Sequence, residues 1–194
     1  PQSEAIADQL AHYDYLYLSG ISLAILPAAS REKLMQLLAR CRAEGGRVIF
    51  DNNYRPRLWA DRASAQSAYR AMLSCTDIAF LTLDDEHLLW GEQPLEEVIA
   101  RTREAGASEI VIKRGAEACL VATGDAPLIE VPAVRLAKEK VVDTTAAGDS
   151  FSAGYLARRL TGASAEAAAQ RGHLIASTVI QHSGAIIPAE AMPD

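Results

Sequence analysis

The feature that most constrains this chain is an alternation of two kinds of segment. Short apolar runs recur along it, and stretches with apolar residues at helical spacing separate them. Residues 13–18 read YDYLYL, a strand that ends at Ser19-Gly20. Residues 31–43 then carry Leu34, Leu37, Leu38 and Cys41 on one helix face, and Gly45-Gly46 stops that helix. The run VIF at 48–50 is a second strand, ending in the polar series Asp51-Asn52-Asn53. A helix is predicted over 63–75, and IAFLTL at 78–83 is a third strand. Asp84-Asp85-Glu86 opens the next helix, where carboxylates suit the positive end of the helix dipole. Pro94 suits a helix first turn, and 95–104 continues with Val98 and Ile99 inward. Residues 109–112 and 119–122 are predicted strands about a tight turn at Gly115, and 128–131 a further one. Two helices, over 148–160 and 164–181, are separated by Thr161-Gly162.

Such alternation predicts an α/β fold with a mostly parallel sheet covered by helices on both faces. Ligands of such folds gather at the C-terminal ends of the strands. Residues 52–55, 82–85, 113–115 and 143–149 are therefore predicted to share one edge. At 194 residues the chain suits one domain with a sizeable core. A formal charge of −6 points away from nucleic acid as the main partner, while backbone N–H groups still allow phosphate ligands. No run is long and apolar enough for a bilayer, and the first ten residues carry no signal-peptide pattern. Cys41, Cys75 and Cys119 form no CxxC pair and suit reduced thiols of a cytoplasmic protein; the four histidines show no metal-ligand spacing. The chain begins at Pro1, as a piece of a longer protein would.

The segment 141–156, VVDTTAAGDSFSAGYL, carries the chemistry. Its small residues Ala146, Ala147 and Gly148 let backbone approach an anion, and the helix that follows supplies free N–H groups and partial positive charge. Asp149 stands at the helix entrance, within reach of a hydroxyl acceptor as a general base. Taken alone, Asp149 reads more readily as a helix cap than as a base. In FDNNYRPRLW at 50–59, Arg55 and Arg57 flank a stiffening Pro56, as either an anion clamp or a solvated surface pair beside a core Trp59.

DTTAAGDSFSAGYL resembles the second signature of the PfkB, or ribokinase-like, carbohydrate kinases, with Ala146 where the family usually has glycine. The resemblance extends from the first predicted strand to the terminal GAIIP. It implies a three-layer ribokinase-like α/β fold, with residues 1–194 as the C-terminal portion of the kinase domain and the N-terminal units and β lid missing. It implies Asp149 as catalytic base and substrate contact, and Ala146, Ala147 and Gly148 as the anion hole. It implies ATP contacts from Asn53, Tyr54, Arg55, Thr82, Lys113, Arg114, Gly115 and Ala116. Magnesium is expected near Asp85 through water, with Glu86 as a stand-in, and a monovalent cation such as K+ near Asp143 and Thr145. Without the resemblance, Asp84–Glu86 reads as an acidic helix start and Lys113-Arg114 as an exposed hairpin turn.

The spacing D-x-N-x-R-x-x-L-W, met by Asp51, Asn53, Arg55, Leu58 and Trp59, is similar to that of the family's 2-keto-3-deoxygluconate branch. It implies transfer of phosphate from ATP to the 6-hydroxyl of 2-dehydro-3-deoxy-D-gluconate, with Arg55 also meeting this small acidic sugar. A kinase of ribose, fructose or another ketohexonate, and a non-catalytic nucleotide- or sugar-binding fragment, are the alternatives. Homo-oligomers are expected only of the complete protein, and the fragment alone is expected to turn over poorly.

Overall fold

A computed structural model describes residues 2–193. The chain divides into two compact units, Pro1–Val111 and Ile112–Asp194. The first runs α1 (Gln2–Ala11), β1 (Tyr15–Ser19), α2 (Gly20–Ala24), α3 (Ala28–Ala43), β2 (Arg47–Asp51), α4 (Arg62–Leu73), β3 (Ile78–Thr82), α5 (Leu83–Trp90), α6 (Leu95–Ala105) and the start of β4 (Glu109–Lys113). The second holds the end of β4, then β5 (Cys119–Thr123), β6 (Ile129–Val131), α7 (Ala147–Arg159) and α8 (Ala165–Val179).

In the first unit the strands lie in chain order β1-β2-β3-β4. β1 and β2 are parallel with Ser19 opposite Asp51, and β2 and β3 are parallel with Asp51 opposite Phe80. Their C-terminal ends, and the polar residues that follow them, therefore share one edge. β2 is buried from Val48 to Asp51, as a strand covered on both faces must be. Phe50 and Phe80 are fully buried beside Leu38, Met72 and Leu89, and each such side chain contributes about 1.5–3 kcal/mol by leaving water.

In the second unit β5 and β6 are antiparallel, with Cys119 opposite Val131. α7 and α8 approach closely through glycines. A Cβ on Gly154 would lie 2.8 Å from Ile175 Cγ1, and one on Gly172 would lie 2.9 Å from the Phe151 carbonyl. This packing fixes the axis of α7, and with it the direction of its first turn.

Several boundaries differ from the sequence pattern for local reasons. β1 starts at Tyr15 because the Tyr13 amide still donates to Leu10 O, closing the turn after α1. α3 begins three residues early because Pro27 supplies its N-cap, and Pro94 plays the same part for α6 instead of lying inside its first turn. α2 is absent from the sequence reading: Ser19 ends β1 and also caps this short helix, with Ser22 closing a capping box. Gly45, at φ 93°, follows the Glu44 cap of α3 as the helix stop requires.

Candidate active site

The first unit gathers the residues that follow β2 and β3 into one hydrogen-bonded corner. Asn52, 1% exposed, is its hub. Its Oδ1 accepts the amides of Asn53 at 2.8 Å and Thr82 at 2.9 Å, and its Nδ2 donates to Thr82 O at 3.1 Å and to Glu86 Oε1 at 2.9 Å. Tyr69 Oη donates to Asn52 O at 2.5 Å, and burial lifts that phenol above its ordinary range. Asn53 adopts φ 30°, outside the usual L-residue regions. Tyr54 is buried, and its amide donates to Asp85 Oδ2 at 3.1 Å. Arg55 is exposed, with Nη1 3.6 Å from the same carboxylate oxygen. Asn53, Tyr54, Arg55, Thr82 and Asp85 are thus brought together.

Glu86 has surroundings unlike those of Asp85. It is 2% exposed, and both its oxygens face inward, one to Asn52 and the other to Arg101 Nη2. Burial pushes its carboxyl above the ordinary range, against the lowering pull of Asn52 and Arg101. No group of three or more His, Cys, Asp or Glu among the described residues could hold a metal by itself.

The second unit gathers the loop before α7. Asp149 is not the cap of that helix: Ala146 is the N-cap, at φ 59° and ψ 15°, and Asp149 lies exposed in the first turn. A left-handed residue followed by a right-handed one turns successive N–H groups toward one concavity, a backbone nest for anions. Here those N–H groups belong to Ala146, Ala147 and Gly148. Ala147 donates to Thr144 O at 3.2 Å, so a carbonyl oxygen already occupies part of the concavity.

Asp143 staples this loop. Its Oδ1 accepts the Thr145 amide at 2.8 Å and its Oδ2 the Gly184 amide at 2.9 Å. The Thr145 contact first, then that of Gly184, hold its carboxyl below the ordinary range. Lys113 lies beneath the start of α7 and is 8% exposed, unlike a free hairpin lysine. Its Nζ is 3.4 Å from Ser152 Oγ and would be 3.4 Å from a Cβ on Gly148. Arg114 clamps the β4–β5 hairpin instead, with Nε donating to Ala118 O at 2.7 Å and Nη2 2.9 Å from Glu130. Gly115, at φ 60°, and Ala116 form the exposed tip of that turn.

His173 and Cys119 are packed together in the core of the second unit. His173 Nε2 is 3.1 Å from Val131 O and 3.4 Å from the Cys119 amide, and burial lowers its pKa. Burial pushes the Cys119 thiol up to about 12, which keeps it inert at neutral pH. No described helix is long and apolar enough to cross a membrane.

An alternating α/β chain with a nest and a carboxylate at one helix entrance, and an Asn-Tyr-Arg turn after a parallel strand, fits one class of phosphate-handling protein. The chain belongs to the pfkB family of carbohydrate kinases, whose pattern it matches over residues 1–192. Among curated relatives, it is 70% identical to the 2-dehydro-3-deoxygluconokinase of Escherichia coli (strain K12), over 99% of this chain and 62% of that protein. It is 66% identical to the protein of the same name from Dickeya dadantii (strain 3937), covering 100% of this chain and 62% of the relative. The chain thus spans less than two thirds of the length of these relatives. Its fold resembles that of a PfkB protein from Polaromonas sp. JS666, with TM-score 0.77 and 28% identity over 95% of this chain and 58% of the other. It also resembles aminoimidazole riboside kinase from Salmonella enterica complexed with aminoimidazole riboside and an ATP analogue. There the TM-score is 0.77 and the identity 26%, over 93% of this chain and 60% of that structure.

Sequence reasoning placed Asn52 on the ligand edge without giving it a role, and passed over Tyr69 and Arg101. The doublet Asn52-Asn53 after a buried strand is the one local signal for the hub. Arg101 carries no signal, since its partner Glu86 comes from another helix.

Proposed function

We propose that this chain supplies the nucleotide-binding and proton-accepting parts of a kinase that transfers the γ-phosphoryl group of ATP to the 6-hydroxyl of 2-dehydro-3-deoxy-D-gluconate. The observation that carries this reading is the nest at 146–148 with an exposed carboxylate, Asp149, on the same helix turn. The names of the relatives at 70% and 66% identity support the choice of sugar.

In this reaction the acceptor hydroxyl must lose its proton as its oxygen bonds to phosphorus. Asp149 accepts that proton. The amides of Ala146, Ala147 and Gly148 stabilise charge on the transferring group, and a phosphate oxygen displaces the Thr144 carbonyl from Ala147. The buried ammonium of Lys113, under the first turn, adds positive charge where phosphate charge collects. Asp85 would hold magnesium through water, and the ion would supply positive charge beside the phosphates of ATP. Asn53, Tyr54, Thr82 and the Arg114–Ala116 turn contact the nucleotide. Arg55 meets the phosphates and the sugar carboxylate, which a guanidinium can grip through paired hydrogen bonds. Asp143 and Thr145 flank the loop as candidate neighbours of a monovalent cation such as K+.

The test is ADP release by the full-length protein on a panel of sugars, with Asp149→Ala as control. Wild type should prefer the keto-deoxy acid. The variant should keep ATP–magnesium binding while turnover falls by about 10²–10⁴-fold. Equal turnover by the variant removes Asp149 as base. Preference for ribose or fructose removes the acidic sugar and leaves a kinase.

A further inference from the structure

Glu86 has no part in the chemistry just described, yet it is among the most thoroughly enclosed charged residues of the first unit. An enclosed carboxylate needs partners, and here they form a line. At one end Arg101 pairs with Glu86 Oε2, while its Nη1 donates to Gln93 Oε1. The Arg101 guanidinium also lies 4.8 Å from the centre of the Trp90 ring, which Arg70 approaches at the same distance. At the other end Glu86 Oε1 accepts from Asn52, whose Oδ1 accepts the amides of Asn53 and Thr82. The line therefore runs from α6, through α5, to the turn that carries Arg55.

That turn needs such a hold. Asn53 sits at φ 30°, and a conformation of this kind persists only where its surroundings over-determine it. The Asn52 amide group fixes the backbone on the N-terminal side of Asn53, and the Asp85 bond to the Tyr54 amide fixes the other side. Glu86 in turn fixes which way the Asn52 amide faces, because only Nδ2 can donate to it.

We propose that Arg101, Glu86 and Asn52 are positioning residues, which hold the 53–55 turn in the geometry that receives phosphate and sugar. The proposal rests on the reading of that turn as a nucleotide and substrate contact. None of the three touches substrate; they act through the backbone of Asn53 and Tyr54.

A double-mutant cycle in the full-length protein tests it. kcat and KM for ATP are measured for wild type, Asn52→Ala, Arg55→Ala and the pair, with urea midpoints for each. Asn52→Ala leaves the Glu86–Arg101 pair intact, and should raise KM for ATP about tenfold while kcat changes less. With Arg55 already removed, the same change should have an effect of about twofold or less, because the group being positioned is gone. Glu86→Gln keeps an acceptor for Asn52 but turns an amide toward Arg101. It should raise KM in the same direction by a smaller factor, and it supplies the cycle should Asn52→Ala fail to fold. Where Arg55→Ala itself raises KM, equal effects of Asn52→Ala with and without Arg55 would overturn the proposal, as would an unchanged KM in both Asn52→Ala and Glu86→Gln. Should Arg55→Ala be silent while Asn52→Ala raises KM, the role given to Arg55 fails and the positioning of the turn stands.

Discussion

After β2, Asn53 adopts φ 30°; before α7, Ala146 adopts φ 59°. Both residues bend the chain at a positive φ, and neither is glycine. The means of holding them differ. Around Asn53 the hold comes from side chains, with Asn52 next in the chain and Tyr69, Glu86 and Arg101 drawn from three other places. Around Ala146 the hold comes from backbone geometry and one half-buried carboxylate, Asp143. The first region should therefore fail when a buried partner is lost. The second should respond to the conformational demand at a single residue and tolerate polar changes around it.

The harshest way to break that contrast is to remove Arg101. Arg101→Ala strands the Glu86 charge in the interior, and should cost about 3–5 kcal/mol in urea unfolding at pH 8. The deficit should shrink at pH 5. A carboxyl raised in the folded state gives stability that is present below its unfolded pKa and is lost as pH rises through the folded one. Loss of Arg101 raises that folded pKa further, so acid relieves the variant more than the wild type. A pH-independent deficit would contradict this account of Glu86.

Gly20→Ala attacks the same corner from the opposite side. A Cβ there would come within 1.9 Å of Tyr69 Oη and 2.0 Å of Asn52 O, so their hydrogen bond must open. A loss of about 1–3 kcal/mol is expected from overpacking, with a rise in KM for ATP that a glycine elsewhere would not cause. Unchanged thermal and kinetic behaviour would mean that this corner is looser than its hydrogen bonds imply.

In the second region the effects are smaller and depend on one dihedral. A non-glycine residue in the left-handed well costs roughly 1–2 kcal/mol, while glycine loses about 0.4–1 kcal/mol through the unfolded chain. Ala146→Gly should therefore raise stability, by less than about 1 kcal/mol, and Ala146→Val should lower it. Calorimetric melting of both variants checks the sign. A stabilised valine variant would rule out backbone strain at 146.

The smallest effect is expected of Asp143→Asn, which keeps one acceptor oxygen for one of two amides. The wild-type carboxyl is depressed in the folded state, so its contribution is present above its unfolded pKa and fades as pH falls through the folded one. Melting curves of the variant and wild type should differ slightly at neutral pH and converge in strong acid. Persistent separation in acid would mean that charge is not what Asp143 contributes.

The α/β alternation was legible in the sequence because it is local, and so was the run of small residues before α7. Apolar period, capping residues and the small-residue loop lie within a few positions of each other. The replacement of glycine by Ala146 was legible as a change in size. Its meaning lies in φ, which sequence does not display. The cap reading of Asp149 fell to the same kind of detail, since the helix begins at the left-handed Ala146 three residues earlier. The Asn52–Glu86 bond joins residues 34 positions apart, and no periodicity marks such a pair. A row of three acidic residues looks uniform on paper. In the fold, Asp84 is exposed, Asp85 holds the Tyr54 amide, and Glu86 is enclosed.

Both tryptophans of the chain, Trp59 and Trp90, lie in the first unit, and Trp90 is packed against Arg70 and Arg101. Indole emission therefore reports on the unit that carries the Asn52 corner and is silent about α7 and α8. Far-ultraviolet circular dichroism sees all the helices. An unfolding experiment that records both signals at once can ask whether the two units melt together or in sequence, with no label attached and no residue changed.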